Sequence, residues 1–359
     1  MEKLKFIKER KNDYNSNDFI DEIASASKSL GIFEAKISAY KFDKILIPLL
    51  HIKEAVSSMN IEGTQTTISD VLENEINEEK KEDEVGKEAS SHIRALLFGA
   101  SYLNENNFNH SFIKKLHEIM LTKEDSNKKE ASIGEYKTVD NYIANTAGTI
   151  VFTPPPHQET KKYMDELIDY INDTNIAVNP LIKAAIMHSQ FESIHPFLDG
   201  NGRIGRLLIS LYLYKSKVIK VPFFYISEAI SQDKSVYYNK LTDSRKNDYT
   251  EWIKYFLRKC TIQANQHIRY VDSLNELYDK VSYSIKKCIN SPKYEQIVEC
   301  IFTQPILTAK YFSEAINVSM QQARRYLNTL ENAHVLVGND RTRNRYFYFE
   351  ELLDLVRRY

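Results

Sequence analysis

The chain has 359 residues, with 48 Lys and Arg against 49 Asp and Glu. A net charge of −1 excludes global attraction to nucleic acid or anionic lipid as an organising principle, so any such binding has to be local. Hydrophobic residues at 42 % and charged residues at 27 % describe a globular chain of two or three domains. Its three cysteines, Cys260, Cys288 and Cys300, lack the C-x-x-C spacing of a zinc or redox site. The first residues carry no apolar signal-peptide core, and no run is apolar enough for a membrane span, so a cytoplasmic protein without membrane partners is expected.

Gly (10) and Pro (9) are scarce, and Leu, Ile, Phe and Tyr recur mostly at three- and four-residue spacing, which predicts a mainly α fold. Ile20, Ile23, Ala24 and Ser27 mark an early helix. Ile45, Leu49, Ile52, Val56 and Met59 mark another, ending at Glu62-Gly63, where Gly63 can take the left-handed conformation that stops a helix. The acidic stretch Glu73 to Glu88 reads as a solvated loop or helix face. Helical spacing resumes at Ile93, Leu96, Leu97 and Ala100, and again at Phe112, Leu116, Ile119 and Met120. Between Asn145 and Pro156 it breaks: Thr149 to Thr153 is β-branched and aromatic, follows Ala147-Gly148 and runs into three prolines, which predicts a short hairpin or edge strand. Tyr163, Leu167, Ile168 and Ile171 restore the helical period. Asn179-Pro180, a cap followed by proline at the first helical position, opens a buried helix through Leu181, Ala184, Ala185, His188 and Phe191. Trp252, Tyr255, Phe256 and Lys259 lie on a longer helix. Past Asn290-Ser-Pro292 the pattern becomes three short helices, two of them capped by Thr308 and Ser319, and a hairpin from Val335–Val337 to Tyr346–Phe349, which is the order of a winged helix. The expected division is a helical region over 1–90, a core over 91–260, a helical connector over 261–290 and the winged helix over 291–359.

The densest chemistry lies between Ile194 and Arg206. Gly200, Gly202 and Gly205 satisfy G-x-G-x-x-G, but a dinucleotide fingerprint needs a preceding β-strand, and here a helix and His-Pro precede it; the G-K-[ST] of a P-loop is also missing. What remains is a loop between two helices. Its glycines sit ahead of a helix with the apolar face Ile204, Leu207, Leu208 and Leu211, so the amides of Gly200 to Gly202 form an anion site at a helix N-terminus. Arg203 and Arg206 share one face and add planar forks suited to phosphate oxygens. Asp199 can hold Mg²⁺ jointly with substrate phosphates. His195 is the side chain there that titrates near neutral pH and can take a proton from a nucleophile. Each residue alone has an ordinary structural reading; together within twelve residues they describe a metal-assisted phosphoryl or nucleotidyl transfer site.

This segment resembles the Fic (filamentation induced by cAMP) family motif, His-Pro-Phe-x-Asp/Glu-Gly-Asn-Gly-Arg-x-x-Arg, at every fixed position: His195, Pro196, Phe197, Asp199, Gly200, Asn201, Gly202, Arg203 and Arg206. The likeness extends to His188–Glu192, to Gly134–Lys137, where the family usually has Arg in place of Lys137, and to Thr149–Pro156, which looks like the family's target-registering flap. Ser58-Met-Asn-Ile-Glu-Gly63 is similar to the family's inhibitory pattern Ser/Thr-x-x-x-Glu-Gly/Asn. The resemblance covers roughly Ile45 to Tyr255. It implies a protein adenylyltransferase using ATP and Mg²⁺ and modifying a Ser, Thr or Tyr hydroxyl on a target protein or on itself. His195 would be the base, Asp199 the metal ligand, Asn201 with the Gly200 and Gly202 amides the phosphate cradle, Arg203 the neutralising cation and Arg206 the γ-phosphate anchor. Tyr237 and Tyr238 fall where the family often has aromatics near the nucleotide base. Glu62, four residues after Ser58, is expected to pair bidentately with Arg206 and inhibit. Removal of AMP, transfer of another phosphate-bearing group, a homodimer, and a DNA-binding role through residues 291–359 stay open. For the last, Gln321, Gln322, Arg324, Arg325, Arg341, Arg343 and Arg345 are the candidate contacts, against a balance of nine basic to eight acidic residues in that segment.

Overall fold

In the computed structural model every residue is described except 1–3, 11–12, 40–42, 65, 77–83, 122–132, 145–147, 176, 247, 342–343 and 359. Helices dominate, and the chain divides into two compact units. The first comprises Met1–Glu34, Ser57–Gln65 and Ser90–Asn265, and the second Ala35–Val56, Thr66–Ala89 and Gln266–Tyr359. Residues 1–90 are therefore shared between the units instead of forming a region of their own. The expected boundary at 260 falls inside one unbroken helix, Thr250–Cys288.

In the first unit, α1 (Ile20–Ala39) and α2 (Asp43–Glu62) contribute their unit-one residues, followed by α4 (Glu84–Glu105), which comes after α3 (Ile68–Ile76), and α5 (His110–Met120). A two-stranded antiparallel hairpin, β1 (Ile143–Ala144) and β2 (Ile150–Phe152), stands where the β-branched stretch predicts it, with Ile143 opposite Phe152; residues 145–147 of that stretch lie outside the described residues. The framework is α6 (His157–Asn172) packed on α7 (Pro180–Ile194) and α7 packed on α8 (Asn201–Lys215). Asn179 caps α7 as expected, its side-chain oxygen accepting the Leu181 amide with Pro180 at the first position. Every residue from Leu181 to Ile194 is buried, so α7 is a central helix with no exposed face. Short helices α9 (Ser227–Ser231) and α10 (Lys234–Asp243) follow, then α11 (Thr250–Cys288), whose Trp252 donates its indole N–H to the Ala185 carbonyl at 2.8 Å.

In the second unit, α12 (Tyr294–Thr303), β3 (Ile306–Thr308), α13 (Ala309–Ala315), α14 (Met320–Asn332), β4 (Val337–Gly338), β5 (Tyr346–Tyr348) and α15 (Glu350–Arg358) follow in order. The strands form an antiparallel sheet β3-β5-β4, in which Leu307 faces Phe347 and Gly338 faces Phe347 from the other side. Thr308 and Ser319 cap α13 and α14 with their hydroxyls. The strand at Ile306–Thr308 is an addition to the expected hairpin: the apolar pair Ile306-Leu307, wholly buried, needs the sheet to satisfy its backbone. Arg345, a candidate phosphate contact, is instead paired with Glu331 at 2.7 Å and donates to the Asn339 carbonyl at 2.8 Å. Arg343 and part of the acidic stretch 73–88 lie outside the described residues. Among the described residues no helix is long and apolar enough to cross a membrane.

Candidate active site

The site is the junction of α7 and α8. His195 is the C-terminal cap of α7 in a left-handed conformation (φ 49°), its amide bonded to the Phe191 carbonyl at 2.9 Å. That kink ends α7 and turns the chain into the loop to Gly200, which caps α8 with φ 72°. The amides that open α8 are thus presented to the loop, as the motif predicts.

Three side chains outside the motif hold this loop, and a fourth ties the end of α7 to the hairpin. Lys137 is buried and donates from Nζ to the Ile194 carbonyl (3.2 Å) and to Asn141 (2.8 Å), while its amide bonds the Pro196 carbonyl at 2.8 Å. Asn141 in turn donates to the carbonyls of His195 (3.2 Å) and Phe197 (3.0 Å). Burial brings the Lys137 ammonium down to about 8. His117 stacks flat on Phe197 with ring centres 3.9 Å apart. Its Nδ1 accepts the Gly134 amide at 2.9 Å, so Nε2, 3.1 Å from the Asp199 carbonyl, carries the proton and donates. Burial lowers His117 to about 4, which keeps that neutral tautomer in place. Arg245 reaches Ser193 Oγ at 3.1 Å and lies 4.0 Å from the centre of the Phe152 ring, anchoring strand β2 of the hairpin.

Asn201 faces into the loop. Its amide group is closed on Phe197, accepting that residue's N–H and donating to its carbonyl, both at 2.9 Å, and it is 2 % exposed. Asn201 therefore braces the loop from within. Asp199 is at the rim; its Oδ1 accepts the Gly200 amide at 2.7 Å and lies 3.9 Å from Arg203. That leaves the other oxygen for a cation shared with phosphates, the donor chemistry a Mg²⁺ ion accepts. His195 is lowered to about 4, chiefly by burial and further by the Lys137 ammonium, with the Glu192 backbone opposing. The ring is neutral at physiological pH and can accept a proton.

The second cluster joins α2 to α8. Gly63, with φ 103°, ends α2 in a Schellman motif: its amide bonds Asn60 O (3.3 Å) and the Thr64 amide bonds Met59 O (3.2 Å), leaving Glu62 as the last helical residue. Arg206, 2 % exposed, donates from Nε to Ser58 Oγ (3.0 Å) and from Nη2 to Ser58 Oγ (2.9 Å), the Ser58 carbonyl (3.0 Å) and Glu62 Oε1 (2.8 Å). Glu62 Oε2 lies 3.4 Å from Arg203 Nε. The expected fork of Glu62 on Arg206 alone is thus replaced by a carboxylate bridging both arginines, because Ser58 already occupies the Nε edge of Arg206. A Cβ at position 202 would stand 2.4 Å from Glu62 Oε1, so glycine is required there for the carboxylate to reach the start of α8. Burial opposes the charge on Arg206, and Glu62, Tyr237 and Glu192 more than offset it.

The two tyrosines divide. Tyr237 is 1 % exposed and its hydroxyl bonds His188 Nε2 at 2.8 Å, so it is part of the core. Tyr238 is 43 % exposed and its hydroxyl donates to the Ile61 carbonyl at 3.2 Å, so it touches the same turn of α2 as Glu62. Glu192 lies under Gly205, 7 % exposed, and burial raises it to about 7 against the pull of Arg206 and Arg245.

Known proteins resemble this chain in sequence and fold. The model of the Fic/DOC family matches residues 107–213, and that of the Fic/DOC family N-terminal region matches residues 20–101. A probable protein adenylyltransferase of Aquifex aeolicus is 32 % identical over 114 residues, 29 % of this chain and 35 % of that protein. Protein adenylyltransferase fic-1 of Caenorhabditis elegans is 30 % identical over 105 residues, 29 % of this chain and 19 % of that protein. The matched stretches thus span about a third or less of these curated relatives. A Fic family protein of Desulfovibrio desulfuricans superposes over 94 % of this chain and 97 % of its own with a TM-score of 0.57 at 17 % identity, a likeness of fold. With two matching family models across 20–101 and 107–213, a complete motif on the α7–α8 junction and a shared fold, the chain belongs to the Fic/DOC family.

Proposed function

We propose that this chain is a protein adenylyltransferase, passing AMP from ATP to a Ser, Thr or Tyr hydroxyl of a protein and releasing pyrophosphate, and that the last turn of α2 restrains it. The observation that carries the reading is the Glu62 carboxylate lying between Arg203 and Arg206 at the start of α8. The chain places its own anion on a subsite built for anions, where a terminal phosphate would bind. With Glu62 withdrawn, Arg206 anchors the γ-phosphate and Arg203 neutralises the charge next to it. The α8 amides from Gly200 to Gly202 polarise the phosphate aligned for attack. His195, neutral and fixed by the Lys137–Asn141 clamp, takes the proton of the attacking hydroxyl as the oxygen bonds the α-phosphorus and the bond to pyrophosphate breaks. Asp199 would hold Mg²⁺, which supplies charge neutralisation on the phosphates. The hairpin offers exposed Ile150 and Val151 beside exposed Tyr142, an apolar edge suited to an extended target segment. Incubation with ATP labelled at the α- or the γ-phosphate tests the reading: protein-bound α label alone is expected, whereas γ label would mark phosphoryl transfer and absence of both would reject the activity.

A second reading is favoured by the exposed face of α14, which presents Gln321, Arg324 and Arg325. It makes residues 291–359 a DNA-contacting element. A salt-sensitive mobility shift of duplex DNA by the full chain, weakened by Arg324→Ala with Arg325→Ala, is expected; no shift at low salt would sink it.

A further inference from the structure

Glu192 stands on the last turn of α7, is 7 % exposed and faces α8. Its Oε1 is fully buried without a hydrogen-bond partner among the described residues, a costly state for a carboxylate oxygen. A Cβ at position 205 would collide with that oxygen, so Gly205 is what lets the carboxyl group lie against the first turns of α8.

Two arginines act on this group, and both are bonded elsewhere. From α8, Arg206 directs Nε and Nη2 to Ser58 and Glu62. From the loop after α10, Arg245 gives Nε to Ser193 and lies over the Phe152 ring. Among the described residues neither makes an ion pair with Glu192. The other titratable groups near it hold one charge state around neutral pH. His188 and His195 on its own helix end are lowered to about 3 and about 4, chiefly by burial, and stay neutral. Burial keeps the phenols of Tyr237 and Tyr238 on α10 un-ionised, with their hydroxyls on His188 Nε2 and the Ile61 carbonyl. Glu192 alone in this cluster stands near its midpoint: burial raises it to about 7, Arg206 pulls it down, and Glu62, the anion seated on Arg206, pushes it up. An anion on Arg206 therefore favours the neutral acid one turn away on α7.

We propose, on the reading of Arg206 as the phosphate anchor given above, that Glu192 is a positioning residue acting through Arg206. Ionised, it is the counter-charge left to the guanidinium once Glu62 has withdrawn. When the terminal phosphate of ATP takes the place of Glu62, Glu192 accepts one proton from solvent at Oε1 and becomes a neutral acid. Nucleotide binding is thereby coupled to proton uptake, and Arg206 faces one anion in every state. Because the bound state holds the extra proton, affinity falls as pH rises through the neutral range.

Titration of the full Glu62→Gly chain with α,β-methylene ATP, which cannot give up AMP, tests this at fixed Mg²⁺ beside the same chain carrying Glu192→Gln. At about pH 6.5 the two should bind nearly alike, since glutamine mimics the neutral acid, and at about pH 8 the chain with Glu192 should bind several-fold more weakly. Titration of the nucleotide's own phosphate is common to both and drops out of the ratio. Calorimetry in Hepes and in Tris should show a fraction of a proton taken up per nucleotide by the first chain beyond the second. Difference infrared spectra of the chain that keeps Glu192 give a measurement independent of the glutamine variant: a protonated buried carboxyl should appear with nucleotide. A ratio of affinities independent of pH, equal proton counts, or no carboxyl signal, with nucleotide still bound, would overturn this inference alone. Weaker binding by Glu192→Gln at both pH values would reduce Glu192 to a structural role and overturn it too. Absence of nucleotide binding in both chains would overturn it together with the proposed adenylyl transfer.

Discussion

Replacing Glu62 by glycine isolates the restraint on the α8 subsite. Glu62 makes one charge-assisted bond, to Arg206 at 2.8 Å, and a longer pair with Arg203 at 3.4 Å, with 28 % of its side chain exposed. A charge-assisted bond of this kind contributes about 1.5 to 3 kcal/mol. Partial exposure screens it, so about 2 kcal/mol is the appropriate weight. If ATP must displace this carboxylate to bind productively, its removal raises the initial rate of labelling by α-labelled ATP roughly 30-fold, at 1.36 kcal/mol per decade. The three bonds from Arg206 to Ser58 survive the substitution, so the guanidinium stays oriented. The double variant Glu62→Gly with Arg206→Ala should lose the gain, since the subsite then has no anchor. Initial rates of self-labelling, or of labelling of an added target, provide the assay, with thermal unfolding monitored to exclude loss of fold. Equal rates in wild type and Glu62→Gly would refute the reasoning.

Four further outcomes are expected. His195→Ala should abolish transfer while leaving ATP binding largely intact, and in the wild type kcat/KM should hold down to about pH 5 before falling, because the base stays neutral until pH approaches about 4; near-normal transfer by His195→Ala would remove its role. Asp199→Ala should make ATP binding insensitive to added Mg²⁺, measured by titration with and without the ion. Tyr238→Phe removes one bond to the last turn of α2, worth about 1 kcal/mol, and should raise the labelling rate several-fold without changing the fold; an unchanged rate would separate Tyr238 from the proposed restraint. Glu192 ionises near pH 7 when folded against an ordinary 4.5, so unfolding releases its proton and stability falls as pH rises between those values, by roughly 3 kcal/mol in all; Glu192→Gln should flatten that slope in denaturant titrations, and parallel curves would contradict it.

The elements that sequence spacing made legible are those whose cause is local. Asn179-Pro180 opens α7, Gly63 closes α2, and Thr308 and Ser319 cap their helices, because each device acts within a turn of its own position. The motif from His195 to Arg206 is likewise contiguous, with α7 and α8 setting its two ends. The strand at Ile306–Thr308 was not legible, since three residues are too short for a period and their pairing partner lies forty residues on in β5.

The supports of the site were hidden for the same reason in reverse. His117 reaches the Asp199 carbonyl across 82 residues of sequence, and Lys137 reaches that of Ile194 across 57. A histidine on the helix spacing of Leu116 and Met120 reads as core, and a polar asparagine before a hairpin reads as a turn; only the folded loop, with carbonyls pointing outward at Ile194, His195 and Phe197, supplies the reason for either. Asn201 is the converse case: its place in the motif suggests an outward role, yet its side chain accepts the Phe197 amide and shares the Phe197 carbonyl with Asn141.

The α2 cluster joins both cases and explains why one carboxylate can restrain two arginines. Ser58 and Glu62 are four apart on a helix, so hydroxyl, carbonyl and carboxylate come from one side of a single turn. Ser58 captures the Nε edge of Arg206 with neutral acceptors, which orients the guanidinium at little electrostatic gain. Glu62, projecting past the turn closed by Gly63, then supplies the charge and is left with a second oxygen for Arg203. Orientation and charge are therefore carried by different residues. Loss of Ser58 should loosen Arg206 without freeing the subsite, whereas loss of Glu62 frees it with Arg206 still in place, and only the second change should give the full rise in rate.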